Sequence, residues 1–181
     1  LAMALAVRMK MVTANDQEIE KIVIDCVSRA INASKSAVVE NPTFLWEYNP
    51  NTATDDDPED LLWNTKFTHL SFEDLQRTTA VAEFNKFLQD PRLELNCLKR
   101  LIINSYPWTS EVYEHPLHQD YSFKHKGAIL NFTTCDGYTM IGNEKIPSVA
   151  NRVILHDPSE PHLGTTTSNQ KRRIIANVNY F

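Results

Sequence analysis

Arg172-Arg173-Ile174-Ile175-Ala176-Asn177-Val178-Asn179-Tyr180 is the stretch whose pattern decides the fold. With the two-residue period of a strand, Arg173, Ile175, Asn177 and Asn179 share one face, and Arg172, Ile174, Ala176 and Val178 share the other. The second set is suited to a core. The first mixes a cation and two amides with an isoleucine, as a strand lining a polar cavity would. Between Pro91 and this run lie seven more short apolar or alternating segments, at 98–106, 115–123, 128–133, 138–141, 144–149, 152–156 and 161–165. Eight short strands separated by turn residues predict a mainly β chain with flanking helices and a double-stranded β-helix core, of the jelly-roll or cupin-like kind.

Upstream the texture differs. Ile19, Ile22, Val23, Cys26, Val27, Ala30 and Ile31 recur at helical spacing behind a capping box of Asn15 and Glu18, which predicts a supporting helix over 15–32. Phe44, Trp46 and Tyr48 alternate as a strand does, and 50–60 reads as an acidic, proline-bearing loop. A strand is expected over 61–70 and a second helix over 72–89. At 181 residues and 42% hydrophobic content the chain suits one domain, with 1–97 as helices and supporting strands and 98–181 as the core.

Net charge −5 and a pI near 5.7 argue against an extended nucleic-acid footprint. Cys26, Cys97 and Cys135 lack the spacing of a zinc site and fit unpaired thiols in a reducing compartment, hence a cytoplasmic location. The apolar stretch 1–7 is too short to span a bilayer, so no membrane association is expected. Trp46, Trp63 and Trp108 are expected as core anchors.

The chemistry concentrates in His118-Gln119-Asp120, followed by His162. The triplet alone is weak: six histidines and 23 acidic residues in 181 positions predict about 0.8 chance cases of His-x-acid. Its surroundings, Tyr121, Phe123, Ile129 and Phe132, are strand-forming, and on a strand His118 and Asp120 would point to one side. Sheet closure could then return His162 to them. Two imidazoles and a carboxylate suit Fe(II) held on one side, with the opposite positions open. Arg173, 11 positions beyond His162, offers a fork for a carboxylate, with Arg172 as its competitor. His156 reads as packing or support for the cluster, and His69, His115 and His125 as structural or exposed.

Taken in order, His118-Gln119-Asp120, Gly137-Tyr138-Thr139, Asn151-Arg152-Val153-Ile154, His162-Leu163-Gly164 and Arg173-Ile174-Ile175 resemble the 2-oxoglutarate and Fe(II)-dependent oxygenases, in their prolyl-hydroxylase-like branch and especially small members from bacteriophages. The resemblance spans 98–181 and extends faintly through 44–46 and 67–69. It implies Fe(II) on His118, Asp120 and His162, 2-oxoglutarate anchored by Arg173, and O2 as oxidant. Succinate, CO2 and a hydroxylated or demethylated substrate would follow. It also implies a co-substrate pocket lined by Tyr106, for which packing is the equal alternative. Independently of the resemblance, Asn177, by its place in the alternation, and Thr165 and Thr166, near His162, are candidate polar lining. The primary substrate stays open among peptide side chains such as prolyl, small metabolites and nucleobases. Two alternatives also remain: a metal-dependent jelly-roll enzyme that does not use 2-oxoglutarate, and a non-catalytic jelly-roll binding protein.

Overall fold

A computed structural model describes residues 6–7, 22–25, 35, 38–50, 52, 62–73 and 76–181. Its strands are β1 (Ala6–Val7), β2 (Ile22–Asp25), β3 (Glu47–Asn49), β4 (Lys66–Glu73), β5 (Gln76–Arg77), β6 (Leu98–Pro107), β7 (Lys126–Asn131), β8 (Tyr138–Ile141), β9 (Glu144–Pro147), β10 (Arg152–His156), β11 (His162–Leu163) and β12 (Arg172–Tyr180). Among the described residues nine strands form one antiparallel sheet, ordered β1-β2-β10-β7-β12-β6-β4-β3 with β5 beside β4, and three form a second, β11-β8-β9. The chain is thus mostly β-sheet. Among the described residues helix is limited to 3₁₀ turns, to α1 (Asn85–Leu88) and to Lys35 and Val38.

The long strand β12 sits between β6 and β7, and its alternation divides two cores. Ile174, Ala176, Val178 and Tyr180 join Leu101, Ile103, Leu130 and Phe132 on the face covered by Val38, Phe84, Phe87 and Leu93. On the opposite face Ile175 packs with Tyr106, Ile129 and Ile154, and with Ile141 and Ile146 of the smaller sheet. Those last contacts bring the two sheets together, leaving between them the space that Arg173 enters. The smaller sheet turns at Gly142, whose φ of +58° a tight hairpin favours.

Several local expectations are corrected. Where a helix over 15–32 was expected, Ile22–Asp25 is a strand between β1 and β10; three β-branched residues in succession favour a sheet, and the remainder lies outside the described residues. The strand expected at 61–70 begins only at Lys66, after a 3₁₀ turn over Leu62–Asn64. The helix expected over 72–89 is instead the end of β4, β5, a 3₁₀ stretch over Thr79–Phe84 and four residues of α1. Thr78 and Thr79, short of helix propensity, interrupt the apolar spacing there. The alternation at 44–48 yields a strand only at Glu47–Asn49. Trp46 packs against the first core, whereas Trp108 is 55% exposed, its indole N–H donating to the Ser168 carbonyl (2.8 Å).

β10 ends on the buried His156, opposite Gly127. A Cβ at Gly127 would come within 3.1 Å of His156 Nε2 and 2.5 Å of Pro158, so the site admits only glycine at this crossing. Burial, reinforced by His162, pushes the His156 pKa from 6.5 down to about 3. Between those values the unfolded chain takes up a proton that the folded chain refuses, so stability falls on acidification by up to roughly 1.4 kcal/mol per pH unit. His156→Gln is expected to flatten the pH dependence of urea unfolding across this window; identical slopes in both proteins would contradict the assignment. Phe132→Ala, which empties the contact with Phe84, is expected to cost about 3–5 kcal/mol in the same assay at neutral pH.

Candidate metal centre

His118 and Asp120 do not lie on a strand, although one was expected over 115–123. The segment runs antiparallel to residues 162–166 with interrupted pairing: Glu114 bridges Thr165, and His118 bridges His162. Four steps on one side match three on the other, so one extra residue is accommodated around Pro116 and Leu117. Pro116 has no N–H to offer a ladder, which explains the break. Such a bulge turns side chains out of simple alternation. The backbones of His118 and His162 exchange two hydrogen bonds, 3.0 and 2.9 Å, and the Asp120 N–H donates to the Pro158 carbonyl (2.9 Å).

These ties gather one ligand atom from each of His118, Asp120 and His162 within 4.8 Å of one another. The two imidazole centroids are 4.6 Å apart. His118 Nδ1 is 3.0 Å from the Pro116 carbonyl and His162 Nδ1 is 2.9 Å from the Glu160 carbonyl. A carbonyl can only accept, so each Nδ1 carries the proton and each Nε2 presents a lone pair. Burial, then the neighbouring His162, lowers the His118 pKa and keeps that ring neutral. Burial pushes the Asp120 carboxyl up, yet the Arg100 guanidinium, helped by both imidazoles, holds it below its ordinary value. Arg100 Nη2 lies 3.0 Å from Asp120 Oδ1. Two imidazoles, each with Nδ1 turned onto a carbonyl, and an ionised carboxylate form a donor set that fits a divalent transition-metal ion.

Arg173 is fully buried, whereas Arg172 is exposed. Arg173 Nη1 donates to the Thr165 carbonyl (3.2 Å) and Nη2 to Thr139 Oγ1 (2.8 Å), while Nε has no hydrogen-bond partner. Among the described residues no carboxylate pairs with it. Burial lowers its pKa, Tyr106 opposing, but a guanidinium stays charged. Glycines make the room: a Cβ at Gly137 would lie 2.9 Å from Arg173 Cδ and 2.6 Å from the Thr166 carbonyl, and one at Gly164 would lie 3.2 Å from Arg173 Nη1. Tyr106 pairs across the sheet with Arg173, whose guanidinium carbon is 5.6 Å from the phenol ring centre. Burial pushes the Tyr106 pKa up to about 12, so the phenol keeps its proton.

Thr165 therefore lines the Arg173 slot, while the Thr166 hydroxyl ties instead to Thr109 and the Tyr113 N–H. Asn177 lies farther along the inter-sheet face, its Oδ1 buried without a hydrogen bond. His156 stands outside the ligand cluster, its ring 5.0 Å edge-on to that of His162. His69 binds the Leu45 carbonyl, His115 packs on Tyr106, and His125 lies between the Phe123 carbonyl and Asn179. Arg100, and Asn104, whose side chain hydrogen-bonds that of Tyr106, were not singled out from sequence, although counting by twos from Tyr106 along β6 reaches both. Thr139, inside the Gly137-Tyr138-Thr139 motif, was likewise not assigned a role.

No protein-family model and no curated protein matches the sequence. Solved structures do match. HygX from Streptomyces hygroscopicus, solved with nickel and 2-oxoglutarate bound, is similar at 11% identity with a TM-score of 0.58, over 90% of this chain and 82% of that one. A prolyl hydroxylase from Trichoplax adhaerens, in complex with a hypoxia inducible factor oxygen degradation domain peptide fragment, is similar at 13% identity and a TM-score of 0.57. A 2OG-Fe(II) oxygenase family oxidoreductase from Burkholderia pseudomallei gives 11% identity and a TM-score of 0.57. Each of these last two covers 88% of this chain and 83% of the relative. At such identities the likeness speaks to the backbone alone: this chain has the fold of 2-oxoglutarate and Fe(II)-dependent oxygenases.

Proposed function

We propose that the protein is a 2-oxoglutarate-dependent Fe(II) dioxygenase, with its two sheets forming the walls of a double-stranded β-helix in a single domain. The observation that carries this reading is the buried, acid-free Arg173 in the same inter-sheet space as a two-histidine, one-carboxylate cluster. A buried cation without a counter-charge is costly, and a bound carboxylate relieves that cost through a charge-assisted, two-point contact. 2-Oxoglutarate, with one carboxylate for the guanidinium and a 2-oxo acid end for a metal, fits that demand.

His118, Asp120 and His162 would hold the iron, the histidines through Nε2. Bound Fe(II) would supply the reduction of O2 coupled to decarboxylation of 2-oxoglutarate, giving succinate, CO2 and an oxygen atom inserted into a substrate C–H bond. Arg173 fixes the far carboxylate. The protonated Tyr106 phenol offers a donor beside it, and Ile129, Ile141, Ile146, Ile154 and Ile175 keep water from weakening the pair. Asn177 supplies an unpartnered acceptor on the same face. The primary substrate would be a peptide side chain, a small metabolite or a nucleobase.

Anaerobic addition of Fe(II) and then 2-oxoglutarate to metal-free protein is expected to produce the visible charge-transfer band of a chelated 2-oxo acid. Asp120→Ala is expected to abolish the band. Arg173→Ala is expected to need about 10–100-fold more 2-oxoglutarate to reach it, and Arg172→Ala no more than wild type. Iron binding without any band would favour a metal enzyme that does not use 2-oxoglutarate, and a loss confined to Arg172→Ala would move the anchor.

A further inference from the structure

Arg100 is the charged side chain at the centre that neither ligates nor anchors in the reading above. It is rooted in the large sheet, where its register partners are Glu73 on β4 and Asn179 on β12. From there it reaches out to Asp120 Oδ1 at 3.0 Å. Its guanidinium carbon stands 5.2 Å from the centre of the Tyr121 ring, and the Tyr121 hydroxyl donates to Glu73 Oε1 (2.8 Å). Ring, carboxylate and sheet therefore fix the guanidinium from three sides. Its Nε is buried without a hydrogen-bond partner, so Asp120 is the contact that holds its charge.

This arrangement constrains the Asp120 carboxylate from the large sheet, where Asn179, the β12 neighbour of Arg100, is its other polar contact and Arg100 the one that carries charge. His118 and Asp120 lie on an irregular segment held by scattered backbone bonds, where a free carboxylate could rotate and offer a metal both oxygens. We propose that Arg100 is a positioning residue of the metal centre: by engaging Oδ1 it leaves Asp120 one oxygen for the metal, so that a coordination place stays open for exogenous ligands. This rests on the assignment of His118, Asp120 and His162 as metal ligands. A hydrogen-bonded partner of a ligand carboxylate orients it, and loss of such partners weakens metal binding by about 10–100-fold.

The test uses Mn(II) alone as probe, followed by electron paramagnetic resonance, on the full chain and its Arg100→Ala, Arg100→Gln and Arg100→Lys variants. Two quantities are read: the dissociation constant, and the number of waters on bound Mn(II), from line broadening in ¹⁷O-enriched water. Arg100→Ala is expected to bind about 10–100-fold more weakly and to carry fewer metal-bound waters, the second carboxylate oxygen having replaced one. Arg100→Lys, which restores a cationic donor, is expected to recover the wild-type water number. A folded Arg100→Ala protein with unchanged affinity and water number would overturn the proposal, and so would tighter binding, which would make Arg100 a competitor of the metal. Should the alanine variant not fold, the glutamine and lysine variants decide by the same two readings. Absence of Mn(II) binding in the unmodified, folded chain would instead overturn the metal centre itself, and is recognised before any variant is measured.

Discussion

The paired backbone hydrogen bonds between His118 and His162 are the constraint on which the centre depends. The two residues are far apart in sequence, and neither belongs to a long strand; β11 has two residues and the segment around His118 has none. Closing this one bridge sets the distance between the imidazoles and the direction in which both Nε2 lone pairs point. Each ring then uses the same local device, an Nδ1–H turned back onto the carbonyl two residues earlier. Asp120 follows from the same bridge, steadied by its own N–H on Pro158 and by Arg100. The elements therefore divide the labour: the large sheet supplies Arg173, Tyr106 and Arg100, the irregular segment supplies His118 and Asp120, and β11 of the smaller sheet supplies His162.

Burial gives these groups their chemical character. Tyr106 stays protonated because a phenolate in that position would be desolvated, and His118 stays neutral for the related reason that an imidazolium would be. Arg173 cannot escape in the same way, since its guanidinium keeps its charge. Burial thus leaves Tyr106 a neutral donor and His118 a neutral acceptor, while Arg100 is paired with Asp120 and Arg173 has no paired carboxylate among the described residues, which gives the cavity its preference for an anion.

Where side chains alternate on long strands, the sequence was legible. The two faces of β12 read correctly because its pattern is strict, with Ile174, Ala176 and Val178 in one core and Ile175 in the other, and the same pattern separates buried Arg173 from exposed Arg172. That His118, Asp120 and His162 come together was legible from an ordered set of residue types, though the strand expected to carry His118 and Asp120 does not form. Irregular backbone has no period to read, and a bulge depends on what lies across from it. Helical spacing misled for a related reason: Ile22 and Val23 fit a helical stripe and a strand equally, and only pairing with β1 and β10 decides. Arg100 went unnoticed because its partner Asp120 comes from a different element, a contact that no local pattern announces.

The extra residue around Pro116 and Leu117 has an evolutionary consequence. Leu117 is 61% exposed and adds length rather than contact. Its identity is therefore nearly free to drift, whereas its removal would match three steps to three, erase the bulge and return the side chains around His118 and Asp120 to plain alternation, out of the directions that bring them to His162. The segment tolerates spelling changes and forbids a change in the count. A lineage descending from this chain could lose most of its recognisable letters here and keep the centre, while a single codon deletion would end it.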